Sequence, residues 1–242
     1  MRTTRLVAVL AVLLAGVVRA DERAAPDPWE RFNRSMFTFN EHLDRWVLEP
    51  VAKGYDVATP DELQRCIRNF FWNLRVPIQS LNGLFQGKPV QSASDVGRFT
   101  VNTTIGLAGF LDPATYFGLE RHEEDFGQTL GVWGVPNGPY LVIPVLGPST
   151  VRDTGGMAVD SLLTPTWYFL DAAVTVGSRV VETVNTRAIV LEDVRRAREA
   201  SFDFYSAVRS AYLQHRMALL RDSEESTRET DDTLYYPDED RP

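Results

Sequence analysis

The chain has 242 residues, a 44% hydrophobic share and a formal net charge of −8. That length holds one large domain or two small ones. The acidic balance argues against nucleic acid as a partner, because phosphate binding needs clustered Lys and Arg. It also argues against simple electrostatic attraction to anionic lipid, so any membrane contact has to come from apolar area.

Residues 1–20 read as a secretory signal. Arg2 and Arg5 precede the apolar run Leu6 to Val18, which is too short to span a bilayer, and Val18-Arg19-Ala20 offers cleavage before Asp21. A short polar linker leads to Asp27, a helix N-cap, and Pro28, suited to a first turn. Trp29, Phe32, Met36, Phe39, Leu43, Trp46 and Val47 then recur at spacings of three and four, which predicts an amphipathic helix ending before Pro50. Its aromatic stripe suits either a protein core or a membrane interface.

Thr59 caps a second expected helix, whose stripe is Leu63, Ile67, Phe70, Phe71 and Leu74 and which Pro77 interrupts. The single cysteine, Cys66, excludes an intramolecular disulfide and reads as a small buried hydrophobe on this helix. Asn82-Gly83 and Gln86-Gly87 with Pro89 mark turns. A third helix is expected from about Ser92 to Ile105, with Val96, Phe99 and Val101 on its apolar side. Asp112-Pro113 opens a short helical turn. His122-Glu123-Glu124-Asp125 lacks the second histidine of a zinc-binding helix and reads as a solvated acidic turn, so no metal and no cofactor is expected.

Asp125 to Asp153 concentrates Gly127, Gly131, Gly134, Gly138 and Gly147 with Pro136, Pro139, Pro144 and Pro148. That density of breakers argues against an amphipathic helix. Yet the segment is apolar, with Phe126, Leu130, Trp133, Tyr140, Ile143 and Leu146 interleaved. A buried hairpin, or shaped backbone lining an apolar path, satisfies both facts. Tyr140 to Val145 is the one stretch that suggests a strand. Thr150 and Ser149 suit a helix cap, and Arg152 and Asp153 either pair with each other or meet a polar ligand.

Beyond the Gly155-Gly156 break, Met157 to Val176 is apolar but interrupted by Asp160, Pro165 and Asp171, which predicts two short helices rather than a span. A helix follows to about Ala188, and then a long charged one from Glu192 to Leu220 with a solvated Arg-rich face. Residues 221–242 form an acidic tail, with nine acids against two arginines from Asp222 on, and are expected to be disordered. The fold class is mainly α: one helical domain, residues 21–220, an apolar Gly/Pro-rich hairpin, and the tail.

No GxSxG elbow and no phosphate-binding loop occurs, so catalysis is not expected. A resemblance is specific. Asp27-Pro28 with Glu30-Arg31-Phe32-Asn33-Arg34 and Phe37-Thr38-Phe39-Asn40 resembles the amino-terminal motif of the MlaA (VacJ) family. Asn69-Phe70, Asn73-Leu74, Pro77 and Asn82 to Gly87 resemble its second block, and Arg98-Phe99, Asn102-Thr103-Thr104, Gly106 and Gly109 to Asp112 its third. The Gly/Pro-rich segment resembles its signature.

The resemblance implies a ring of helices in the inner leaflet of the outer membrane, on its periplasmic side, around an amphipathic channel. It implies removal of misplaced phospholipid from the outer leaflet, transfer to a periplasmic lipid carrier of the MlaC-like kind, and a trimeric outer-membrane porin as neighbour. It further implies that Gly127, Gly131, Gly134 and Gly138 shape the hairpin while Phe126, Leu130, Trp133, Tyr140, Ile143 and Leu146 face acyl chains. The family's acylated lipobox cysteine is replaced by Val17. A porin-docking envelope protein that moves no lipid is the alternative reading.

Overall fold

A computed structural model of the chain describes residues 27–235, apart from 165–167 and 169. The signal-like segment 1–20 lies outside the described residues. The architecture is mainly α, with one two-stranded antiparallel hairpin.

Helix α1 (Glu30–Leu43) does not stop before Pro50. A π-helical turn, Asp44–Leu48, carries the chain directly into α2 (Glu49–Ala58), and Pro50 falls in the first turn of that new segment. The helix is continuous there, so Pro50 leaves one carbonyl of the preceding turn without its N–H, and the wider π turn accommodates its ring. Helix α3 (Asp61–Phe85) starts at Pro60, whose extended backbone takes the cap position expected of Thr59. It runs through Pro77 and Asn82-Gly83 without a break. Packing on α4 (Pro89–Thr104) holds it across the lost hydrogen bond. Gly83 lets α4 approach closely there: a β-carbon would sit 2.6 Å from the Ser92 hydroxyl, which would have to shift.

A short helix, α5 (Pro113–Tyr116), leads to α6 (Phe126–Val132), so the first part of the Gly/Pro-rich segment is helical after all. Its glycines serve close packing rather than breaking. The hairpin follows as expected, β1 (Tyr140–Ile143) pairing β2 (Gly147–Thr150) in the register Tyr140 to Thr150 and Ile143 to Gly147. Helix α7 (Val151–Leu163) is capped by the Thr150 hydroxyl, which accepts from the Asp153 N–H at 3.1 Å. Gly155 and Gly156 lie inside α7 and do not break it.

Helix α8 (Ala172–Ile189) and α9 (Leu191–Ala200) precede α10 (Phe204–Tyr235). The single long helix expected from Glu192 is thus split at residues 201–203, where the Asp203 carboxylate caps the new helix through Ser206. Helix α10 enters the acidic stretch expected to be disordered, which holds no Pro or Gly before Pro237 to end it.

Burial runs opposite to that of a water-soluble helical domain. Among the described residues eight apolar side chains are buried against twenty-four polar or charged ones. Helix α4 buries Ser92, Asp95, Arg98 and Asn102 at helical spacing and turns Val96 outward. Helix α3 buries Asn73, Gln79 and Asn82 and exposes Leu63 and Leu74. In α1 the buried residue is Asn33, while Trp29, Phe32, Phe39 and Trp46 of the aromatic stripe are exposed. The interface reading of that stripe therefore fits the structure better than the core reading. A compact apolar cluster among the described residues joins Tyr140 and Val142 of β1 to Tyr205 of α10. Cys66 is half-buried. Among the described residues no helix is long and apolar enough to cross a membrane.

Candidate functional site

Asparagines on α1 position the hairpin. Asn33, fully buried, donates to the Tyr140 carbonyl and accepts from the Val142 N–H, both at 2.9 Å. Seven residues on, Asn40 donates to the Ile143 carbonyl at 3.0 Å and accepts from the Val145 N–H at 2.7 Å. Two side-chain amides thus continue the sheet on the free edge of β1, where backbone groups would otherwise lack partners.

Below the hairpin a cavity of about 410 Å³ opens between α3, α6, α7, α8 and α10. Its walls mix Trp72, Ile78, Met157 and Leu219 with Arg75, Glu123, Asp125, Asp153, Asp160, Arg179 and Arg216. A charge network fixes one side. Arg216 of α10 bridges Asp125, at 3.0 Å, and Asp153, at 2.9 Å. Asp153 also accepts from Arg152 at 3.0 Å and from the Tyr212 hydroxyl at 2.6 Å. Burial pushes the Asp153 carboxyl up, but the Arg216 and Arg152 charges outweigh it and hold it below the ordinary carboxylate range. Asp160 goes the other way: burial raises it, although it accepts from the Phe126 N–H and Asn82.

The acidic turn is part of this construction rather than a solvated loop. Glu124 is buried with Lys88 at 2.6 Å and accepts from Gln91 at 2.8 Å, His122 contacts Asp95 at 2.8 Å, and Asp125 caps α6. The pairing with Asp95 raises the His122 imidazole above its ordinary value. Among the described residues no group of three or more His, Cys, Asp or Glu side chains could hold a metal ion.

The family described as MlaA lipoprotein matches residues 25–219. The chain belongs to the MlaA lipoprotein family. It is 38% identical over 198 residues to the intermembrane phospholipid transport system lipoprotein MlaA of Shigella flexneri, covering 80% of this chain and 78% of that protein. Identity to the protein of the same name from Escherichia coli strain K12 is 37%, with the same coverage. A solved structure described as the structural basis for maintenance of bacterial outer membrane lipid asymmetry superposes with a TM-score of 0.72. It has 37% identity and covers 81% of this chain and 99% of that one.

The MlaA-like signature residues fall in several environments. From that segment the cavity takes Asp125, Gln128, Pro148 and Asp153. Phe126 is buried edge-on to Trp133, with ring centroids 5.9 Å apart, and the Trp133 indole donates to the Phe85 carbonyl. Tyr140 sits in the apolar cluster, where burial raises its hydroxyl to about 12. Leu130 and Ile143 are half-buried, and Leu146 is exposed at the hairpin turn.

Gly127 and Gly131 permit close approach: a β-carbon on Gly127 would meet Asp153 at 2.7 Å, and one on Gly131 would meet Leu220 at 2.6 Å. Gly156 of α7 would strike the Gly127 backbone nitrogen at 2.2 Å. Gly134 has open space around it and a φ of +87°. It ends α6 as the left-handed residue of a Schellman cap, with its N–H on the Gly131 carbonyl and the Val135 N–H on that of Leu130. Gly138 adopts a φ of +67° in the approach to β1.

Of the two roles open to Arg152 and Asp153 the structure shows the pair, and it adds Arg216, Tyr212 and Asp160, which carry no signal of this role in the sequence. They reach the site from α10 and α7, and Arg216 lies within a helix whose arginines read as a solvated face. Arg198 turns inward as well, onto Glu41, Asp44 and Glu49.

Proposed function

We propose that the chain is an outer-membrane component of intermembrane phospholipid transport. It takes misplaced phospholipid from the outer leaflet through an amphipathic channel and passes it to an MlaC-like periplasmic carrier, with a trimeric porin as neighbour. Phospholipid asymmetry of the outer membrane is the result, and no bond is made or broken.

The observation that carries this reading is the reversed burial. Large apolar side chains are exposed on most of the helices, as contact with acyl groups requires, and charged side chains line a half-open cavity between helices. Among the described residues no helix is both long and apolar enough to cross a membrane. A polar interior with apolar patches such as Trp72, Met157 and Leu219 matches a headgroup travelling with its tails. Gly127, Gly131, Gly134 and Gly138 shape the segment beside that path, and Trp133 and Leu146 of the same segment are exposed apolar side chains.

Deleting the gene should raise the phospholipid accessible to a phospholipase added outside the cell, and restoring it should reverse the rise. Unchanged accessibility, with folded protein present in the parent strain, would remove transport and leave the porin-docking role.

A further inference from the structure

One group of charges in the cavity stands outside the Arg216 network. Arg75 of α3 and Arg179 of α8 both line the cavity. They share one counter-ion, Glu182, a single turn beyond Arg179 on α8. One Glu182 oxygen accepts from Arg75, and the other from Arg179 at 3.1 Å. The Glu182 side chain is 11% exposed, whereas each guanidinium side chain is 49% open. Two cations thus share one hydrogen-bonded anion. Half the Arg75 surface is open toward the cavity; burial first, then the Arg179 charge, hold its guanidinium below the ordinary arginine range.

Four of the five acids that line the cavity beside this pair are engaged elsewhere. Glu124 is tied to Lys88, Asp125 and Asp153 to Arg216, and Asp160 to Asn82 and the Phe126 N–H. Glu123 lies 4.0 Å from His215 and its charge also reaches Arg75.

We propose that Arg75 and Arg179 form a phosphate clamp for the phospholipid headgroup, with Glu182 holding the anion's place until a phosphate displaces it. This rests on the reading that the chain carries phospholipid. A phosphodiester is a monoanion with two non-bridging oxygens, and a carboxylate presents the same charge and the same pair of acceptors. Arginine forks suit either one. A displaced Glu182 stays within reach of Arg179, three residues away on the same helix face, so the anions exchange and capture is reversible. Reversibility is what a carrier without an energy source needs: a site strong enough to fill and weak enough to empty.

The test uses the full chain in non-ionic detergent and three probes: dihexanoyl phosphatidylglycerol, dihexanoylglycerol, which lacks the phosphate, and inorganic phosphate. The R75Q/R179Q double variant should bind the phospholipid at least about tenfold more weakly than wild type, as loss of charge-assisted hydrogen bonds implies. E182Q should bind it several-fold more tightly, because the internal competitor is gone. Neither change should move dihexanoylglycerol binding. Opposite signs from partners of one ion pair cannot arise from damaged folding.

Equal binding of phospholipid and dihexanoylglycerol by all variants would overturn the clamp, and so would a loss in E182Q matching that in R75Q/R179Q. Inorganic phosphate binding as tightly as the phospholipid would make this a free-anion site and overturn the lipid assignment. The surface-phospholipid assay on the deletion strain is independent: no change there, with clamp binding intact, removes the transport reading alone.

Discussion

Asp153 shows how a single carboxylate organises buried charge. It is 7% exposed and faces Arg152, Arg216 and the Tyr212 hydroxyl. Its folded-state pKa is depressed, so it stabilises the fold above the unfolded carboxylate value, and that contribution is lost as pH falls through the folded value. Asp153→Asn leaves two buried guanidinium groups short of an anion and should cost roughly 3 kcal/mol near neutral pH. In acid the wild type loses the same interaction, so the gap between the two proteins should narrow. Denaturant unfolding of both at pH 7 and near pH 3 measures it; a gap of equal size at both would show that the charge of Asp153 is not what matters. Arg152 beside Asp153 was legible because the two are chain neighbours. Arg216 was not, because nothing in an Arg-rich stretch distinguishes a guanidinium that turns inward, as Arg216 and Arg198 do, from one that faces out.

At the scale of elements, α1 acts as a third strand without being one. Asn33 and Asn40 lie two turns apart on one face and match the spacing of accepting and donating groups along β1. Removing either amide leaves a backbone N–H and a carbonyl of the hairpin without their partners. Asn33→Ala, at the fully buried end, should therefore cost about 2–3 kcal/mol, and Asn40→Ala less, because Val145 is exposed and water can replace the bond. Amide hydrogen exchange at Val142 and Val145 reads this directly: Asn33→Ala should speed Val142 exchange more than Asn40→Ala speeds Val145. The reverse order would mean that the hairpin is held by its own ladder alone. The sequence suggested the hairpin through Tyr140 to Val145 but not its attachment, since two asparagines on an aromatic helix carry no mark of what they bond.

For the whole molecule, periodicity located most helices but could not say which face points inward. The rule that an apolar stripe marks the core assumes water outside. Here Ser92, Asp95, Arg98 and Asn102 form a stripe as regular as any apolar one, and it is this stripe that is buried. The proline readings failed for a related reason: Pro50 and Pro77 sit in helices that neighbouring elements support from outside the local sequence. The exterior gives the corresponding test. Trp46, Val57 and Val90 are 77%, 90% and 71% exposed, the first two along the π turn and α2 and the third on α4. In a protein surrounded by water, replacing them with Gln would matter to nothing. If they meet lipid, the triple variant should keep its folding stability to within about 1 kcal/mol, since no buried contact is lost. It should at the same time bind phosphatidylethanolamine–phosphatidylglycerol vesicles at least about a hundredfold more weakly, because roughly 3 kcal/mol of apolar transfer is removed. Glutamine keeps the net charge constant, so electrostatics cannot produce the change. Vesicle flotation of both proteins decides it: undiminished flotation of the variant would place these faces against protein, and the porin would become the surface they were built to meet.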